Sequence, residues 1–216
     1  MRKLIYFLTF FLSLQFTVHA QKISGGIKVG VAIAKYPGSG DNSHERSGPA
    51  LGAFWNVALG KYFGFQPTFN FWVQKGYNQT KTILNSTMTT TTLKINCFET
   101  QMNFVFHTTA KKINFFVGVG PSAALAINGK WTRYSGSTKS ILDVKFGTKP
   151  TDDIKKGDLG VTGLLGFSWG GFLVSGCFNH GLTNLNPRSD EGAIQSTYIG
   201  INAAFLLPFE QSKTKK

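Results

Sequence analysis

A chain of 216 residues with 25 Gly, 20 Phe and only 15% charged residues does not have the make-up of an ordinary soluble surface, which carries about 25–35% charged residues. Its length suits one or two domains. The net charge of +13 does not make it a nucleic-acid binder, because no recognition-helix pattern is present and the opening segment directs the chain out of the cytoplasm.

That opening segment, "MRKLIYFLTFFLSLQFTVHA", has Arg2 and Lys3, an apolar run, and small residues at Val18 and Ala20. It predicts a secretory signal peptide over residues 1–20, cut before Gln21. The competing reading, a retained anchor, is disfavoured by Ser13, Gln15 and Thr17, which interrupt a run already short of the ~20 residues a spanning helix needs. Eight alternating segments follow: 23–35, 49–59, 62–77, 92–107, 113–130, 158–169, 171–182 and 195–207. Each reaches the ~9–11 residues of a tilted transmembrane strand. The connections after the second, fourth and sixth are short, and those after the first, third, fifth and seventh are long. This alternation predicts an all-β, eight-stranded antiparallel up-and-down transmembrane β-barrel over residues 21–209, with every long loop at one end. Residues 210–216, "EQSKTKK", form a basic tail.

The third segment shows the two faces. Phe63, Phe65, Pro67, Phe69, Phe71 and Val73 share one parity, while Gly64, Gln66, Thr68, Asn70, Trp72 and Gln74 share the other. In the fifth, Asn114, Phe116, Gly118, Gly120, Ser122, Ala124 and Ala126 oppose an apolar row and carry no charge. Small uncharged residues suit the narrow interior of an eight-stranded barrel and suit a water-facing wall poorly. The Phe row therefore faces lipid, and a soluble ligand-binding barrel is the weaker reading. Tyr62, Trp169 and Phe209 fall near the tight turns, and Tyr77 and Trp131 near the loops, as interfacial aromatic girdles would. Pro67 and Pro121 lie inside strands of a barrel without a free edge, so bulges or strand-end positions are expected there. Leu173, on the polar parity of the seventh segment, leaves that register open.

Glu99 is the one acidic residue well inside a predicted strand, and its parity points it into the lumen with Cys97 and Gln101. Lys28 has the inward parity of the first strand. The expected interior network is a Glu99–Lys28 pair with Asn56, Gln66, Asn70, Gln74 and Gln101, either a structural plug of satisfied polar groups or an ion path. Cys97 and Cys177 lie on strands nearly opposite across the lumen and are expected as free, buried thiols. Between Lys130 and Lys156 there are seven Lys or Arg against three Asp. Lys130, Arg133, Lys139, Lys145 and Lys149 are thus candidate contacts for a partner or for lipopolysaccharide. No spacing selects a catalytic triad among His44, His107 and His180, so no enzyme is expected; a lipid-modifying enzyme is the alternative. No metal cluster or nucleotide loop marks a cofactor.

Several stretches resemble one family in order along the chain. Gln66-Pro67 and Gln74-Lys75-Gly76 match the "LQPE…YSQKG" strand of the PorT-type outer-membrane β-barrel proteins of Bacteroidetes, with Thr68 where Glu is usual. "LKINCFETQMNF", "FFVGVGPSAAL" and "HGLTNL" are similar to its later strands. The resemblance implies an eight-stranded barrel in the outer membrane without one fixed activity; some members are associated with protein secretion and gliding. The expected role is structural or interaction-based at the envelope, with outer-membrane lipid, lipopolysaccharide or an envelope protein as partner; the alternatives are a component of a PorT-like secretion or gliding system and a lipid-modifying enzyme.

Overall fold

The computed structural model describes residues 23–37, 43–83, 87–108, 113–188 and 192–208. The expected signal peptide, Phe209 and the basic tail lie outside these. Among the described residues there are nine strands: β1 (Ile23–Lys35), β2 (Ser43–Ala58), β3 (Phe63–Ile83), β4 (Thr87–His107), β5 (Ile113–Ser135), β6 (Thr138–Asp143), β7 (Gly157–Trp169), β8 (Phe172–Gly181) and β9 (Thr197–Pro208). Eight of them close a ring, β1-β2-β3-β4-β5-β7-β8-β9, in which β9 returns to pair with β1 and every neighbour is antiparallel. β6 stands outside the ring and pairs with the far end of β5.

Alternation along each strand builds two surfaces. Outward positions such as Ile27, Val29, Phe104, Val119, Leu159 and Ile201 are exposed and apolar all round the wall, which is stable only where the surrounding medium is lipid. Inward positions are small or polar, and two clusters fill the lumen. The lower one includes Phe54, Val105, Phe116, Leu164 and Leu173. The upper one includes Tyr36, Leu93, Ile95, Val144, Ile154 and Leu185. Leu173 is inward, which resolves the register of β8. Cys97 and Cys177 are free and buried, one in each cluster.

Three expectations change. The second long loop is largely strand: β3 and β4 run 21 residues each and β5 runs 23. At ~3.3 Å per residue β3 extends about 70 Å, far beyond the ~30 Å hydrocarbon core. Its upper part, with β4, β5 and β6, forms a one-sided sheet projecting from the loop end. Second, Tyr77 and Trp131 are not a lipid girdle. Both turn into the lumen mouth and meet edge to face at 6.0 Å, because register shifts lie below them in β3 and β5. Tyr62 and Trp169 do lie exposed at the tight-turn end. Third, neither proline sits at a bulge. β3 pairs with β2 on both sides of Pro67, at Phe65↔Val57 and Thr68↔Phe54, without a shift. β4 pairs with β5 on both sides of Pro121, at Gln101↔Ser122 and Phe104↔Val119, also without a shift. Each ladder lapses for two residues at the proline, which places the missing N–H in the gap. On its other side each proline stays paired, with Met102 and Val161 respectively.

The β7–β8 turn has two residues, Gly170 and Gly171, both at positive φ (55° and 88°), between the paired Trp169 and Phe172. A two-residue hairpin with both φ positive is the turn whose twist matches the flanking strands, and it requires glycine. A Cβ at Gly170 would meet no atom within 4 Å, so the strain of Gly170→Val is conformational alone. It should lower stability by about 1–2 kcal/mol, measured by urea unfolding in detergent, with no change of fold.

Candidate functional site

The lumen site begins at Phe71 and Trp72, two consecutive bulky apolar residues, where the structure places a β-bulge. Asn70 pairs with Glu99 and Val73 with Cys97, so two residues of β3 oppose one of β4. Both rings point outward and are exposed. Beyond them the inward parity passes from even to odd positions: Gln66, Thr68 and Asn70 are buried below the bulge, and Val73, Lys75 and Tyr77 above it.

The bulge thereby brings Lys75 into the barrel. Its Nζ lies 2.6 Å from Oε2 of Glu99, with both side chains buried. The other carboxylate oxygen, Oε1, accepts from Gln101 Nε2 at 2.7 Å and from the Tyr198 hydroxyl, with Asn70 Nδ2 more distant at 3.4 Å. Gln101 Nε2 also donates to the Tyr198 oxygen at 3.0 Å. The Lys75 ammonium sits 4.6 Å from the centre of the Tyr198 ring, over its negative face. Three strands, β3, β4 and β9, are thus tied across the lumen by one carboxylate. Burying a charge is tolerable only with such pairing and hydrogen bonding.

The expected network is corrected at two points. Lys28 is buried in the lumen wall but forms no ion pair with Glu99; the one ion pair among the described residues is that of Lys75. Gln74 leaves the lumen because it follows the bulge, and it donates to Asn96 Oδ1 on the outer wall at 3.1 Å. Gln66, Asn70, Glu99 and Gln101 are buried inside, and Asn56 is half-buried. Below the knot, a cavity of about 420 Å³ lined by Asn56, Gln66, His107 and Phe116 opens at the tight-turn end. Above it, the upper apolar cluster closes the lumen. Leu185, from the "HGLTNL" stretch, belongs to that cap. Asn184 holds it in place, its Oδ1 accepting from the backbone N–H of Asn186 and of Ile194 at 2.9 and 3.1 Å. Lys75 was not legible by alternation, since Phe71-Trp72 differs little from the unshifted Phe115-Phe116; Tyr198 has plain inward parity, and nothing local marks it as Glu99's donor.

The basic loop candidates separate onto two faces of the projecting sheet. Arg133 and Lys145 line its concave side. Lys130 and Lys139 take the opposite parity, Lys139 lying over the Tyr134 ring at 5.7 Å. Lys149 belongs to the following turn, where its N–H donates to Asp152 at 2.8 Å. One residue joins them that charge counting overlooked. Lys94 of β4 is directly opposite Lys130 of β5. Immediately below, a polar belt crosses the outer wall: Trp72 Nε1 donates to Asn96 Oδ1 at 2.8 Å and Asn96 Nδ2 donates to Asn128 Oδ1 at 2.7 Å. The exposed Leu125 and Ile127 lie below that belt.

Residues 16–186 match the family described as "Outer membrane protein beta-barrel domain". The chain belongs to this family. As an outer-membrane barrel it places the tight turns at the periplasmic end and the projecting sheet outside the cell. Among solved structures it is similar to Ail, the attachment invasion locus protein of Yersinia pestis, in complex with the heparin analogue sucrose octasulfate (9% identity, TM-score 0.44, 86% of this chain and 99% of that one). It is also similar to Neisserial surface protein A (8%, 0.44, 85% and 96%) and to OprG from Pseudomonas aeruginosa (10%, 0.41, 88% and 96%). No curated protein matches the sequence. These structural likenesses are distant, and the barrel rests on its own closed ring of hydrogen-bonded strands.

Removing one partner of a buried pair strands the other charge. Lys75→Met should therefore destabilise the barrel by about 3–5 kcal/mol in urea titrations of the detergent-solubilised protein. Adding Glu99→Gln to Lys75→Met should recover at least half of that loss, because the stranded charge is then gone.

Proposed function

We propose that this barrel is a closed interaction protein of the outer membrane that holds phosphorylated headgroups of lipopolysaccharide against its outer wall. The observation that carries the reading is the Lys94–Lys130 pair. Like charges directly opposite on adjacent strands repel, and no carboxylate forms an ion pair with either among the described residues. Asp143, opposite Lys130 on β6, offsets one of the two charges and leaves a net positive row. That row stands just outside the Trp72–Asn96–Asn128 belt, at the height where apolar wall gives way to polar groups. Indole and amide groups of this kind sit at headgroup level, and a phosphate between the two ammonium groups would relieve their repulsion.

The sealed lumen supports the same reading, since side chains fill the barrel where a channel would run. The role is binding, not catalysis. The finer kinship with PorT-type barrels of Bacteroidetes is part of this proposal; its support is that Lys75 of the Gln74-Lys75-Gly76 match is the residue that closes on Glu99.

Native mass spectrometry of the full chain with hexa-acylated lipopolysaccharide, and with the same material dephosphorylated, tests the headgroup site. The phosphorylated form should be retained, and Lys94→Gln/Lys130→Gln should weaken it about tenfold or more, given ~1.5–3 kcal/mol for a charge-assisted bond. Equal retention of the dephosphorylated form, or no loss in the variant, would refute the site.

A further inference from the structure

The concave side of the projecting sheet encloses a half-open cleft of about 1190 Å³, larger than the ~300–1,000 Å³ of ordinary small-molecule pockets. The lumen parity simply continues upward to form its wall. Thr89 and Thr91 on β4, Ser135 on β5 and Ser140 on β6 present hydroxyls in adjacent rows. Trp131 lies at its base, half-buried against the upper cluster and in contact with Tyr77. Arg133 and Lys145 are partly offset by Asp153 around the cleft, while Asp143 lies at its edge opposite Lys130, so the net charge of the cleft is small.

One atom gives the cleft a direction. Thr89 is 8% exposed, and its Oγ1 is buried without a hydrogen-bond partner among the described residues. Buried hydroxyls are nearly always bonded. A wall that leaves this hydroxyl without a partner, beside a large cleft of mixed polar and apolar lining that faces away from the cell, is arranged for a ligand that brings its own donors and acceptors.

We propose that the cleft is a binding site for an uncharged oligosaccharide. Sugar rings have the two properties the walls demand. Their equatorial hydroxyls both donate and accept, which suits rows of Thr and Ser backed by Arg133 and Asp153. Their C–H faces are apolar and pack on an indole, which suits Trp131. A polyanion is disfavoured by Asp153, and a purely apolar ligand by the hydroxyl rows. The site differs from the headgroup row in position, lying on the opposite face of the same sheet, and in ligand charge.

The test is a glycan array of neutral and acidic oligosaccharides probed with the full chain in nanodiscs. The wild-type barrel should retain at least one neutral oligosaccharide. Thr89→Val should weaken it about threefold to tenfold, the loss of one hydrogen bond. Trp131→Ala should weaken it about tenfold or more. Because Trp131 also supports the upper cluster, Ser140→Trp is the independent variant: it fills the cleft from an exposed position on β6 and should abolish retention while the barrel still folds. Lys94→Gln/Lys130→Gln should leave retention unchanged even if the headgroup site fails its own test. Retention of no neutral glycan, retention of acidic glycans alone, or retention insensitive to Ser140→Trp would overturn the proposal.

Discussion

The Glu99 carboxylate lies inside a lipid-embedded wall with no exposure to solvent, and its charge needs a cation that parity alone would put on the opposite face. The bulge at Phe71 and Trp72 resolves that conflict. One additional residue in β3 reverses inside and outside for everything above it, so Lys75 enters the lumen while two aromatic rings are pushed together into the lipid interface. The ion pair and the outer aromatic belt are thus one structural event seen from two sides. Tyr198, Gln101 and Asn70 then complete the coordination of the carboxylate from three strands, which fixes the register of β3, β4 and β9 relative to one another.

The same displacement shapes the outer half of the molecule. Above the bulge in β3 and the matching shift between Asn96 and Cys97 against β5, the strands no longer need to close a ring. β7 pairs with β5 only as far as Leu125, and β6 pairs with it from Lys130 onward. The released part of the sheet has two usable faces. Its outer face carries the polar belt and the opposed lysines. Its inner face carries the hydroxyl rows over Trp131. Both faces lie on a single long hairpin and its neighbour.

Much of this was open to inspection in the amino-acid order. Period-two alternation and the strict succession of short and long connections gave the ring, its lipid-facing row and the inward direction of Glu99, because a two-residue period leaves few other solutions. The partner of Glu99 was not legible, because one extra residue inverts parity and alternation counts cannot see it. Phe71-Trp72 stands side by side at the bulge, but so do Phe115-Phe116 and Leu164-Leu165, where the register runs unbroken. The shift in β5, beside Ile127 and Asn128, had no mark at all. The length of β3 and β4 was hidden for another reason: "TMTTTT" is polar on both faces, so it reads as loop although β-branched threonines extend readily. Lys94 was missed because charge was counted along the chain, whereas its importance lies across the ladder, opposite Lys130.

The central claim is the bulge, and native Cys97 offers a direct measurement of it. In a Cys177→Ser background, one cysteine is introduced at a time, at Val73 or at Trp72, and the folded barrel is oxidised and its cross-links mapped by mass spectrometry. With the bulge, Val73→Cys faces Cys97 across the β3–β4 ladder, within the ~4.4–6.8 Å Cα separation that a disulfide spans, and it should cross-link while Trp72→Cys stays free on the outer wall. Cross-linking of Trp72→Cys with Val73→Cys left free would mean that β3 runs without the bulge. Lys75 would then face lipid, and Glu99 would need another partner.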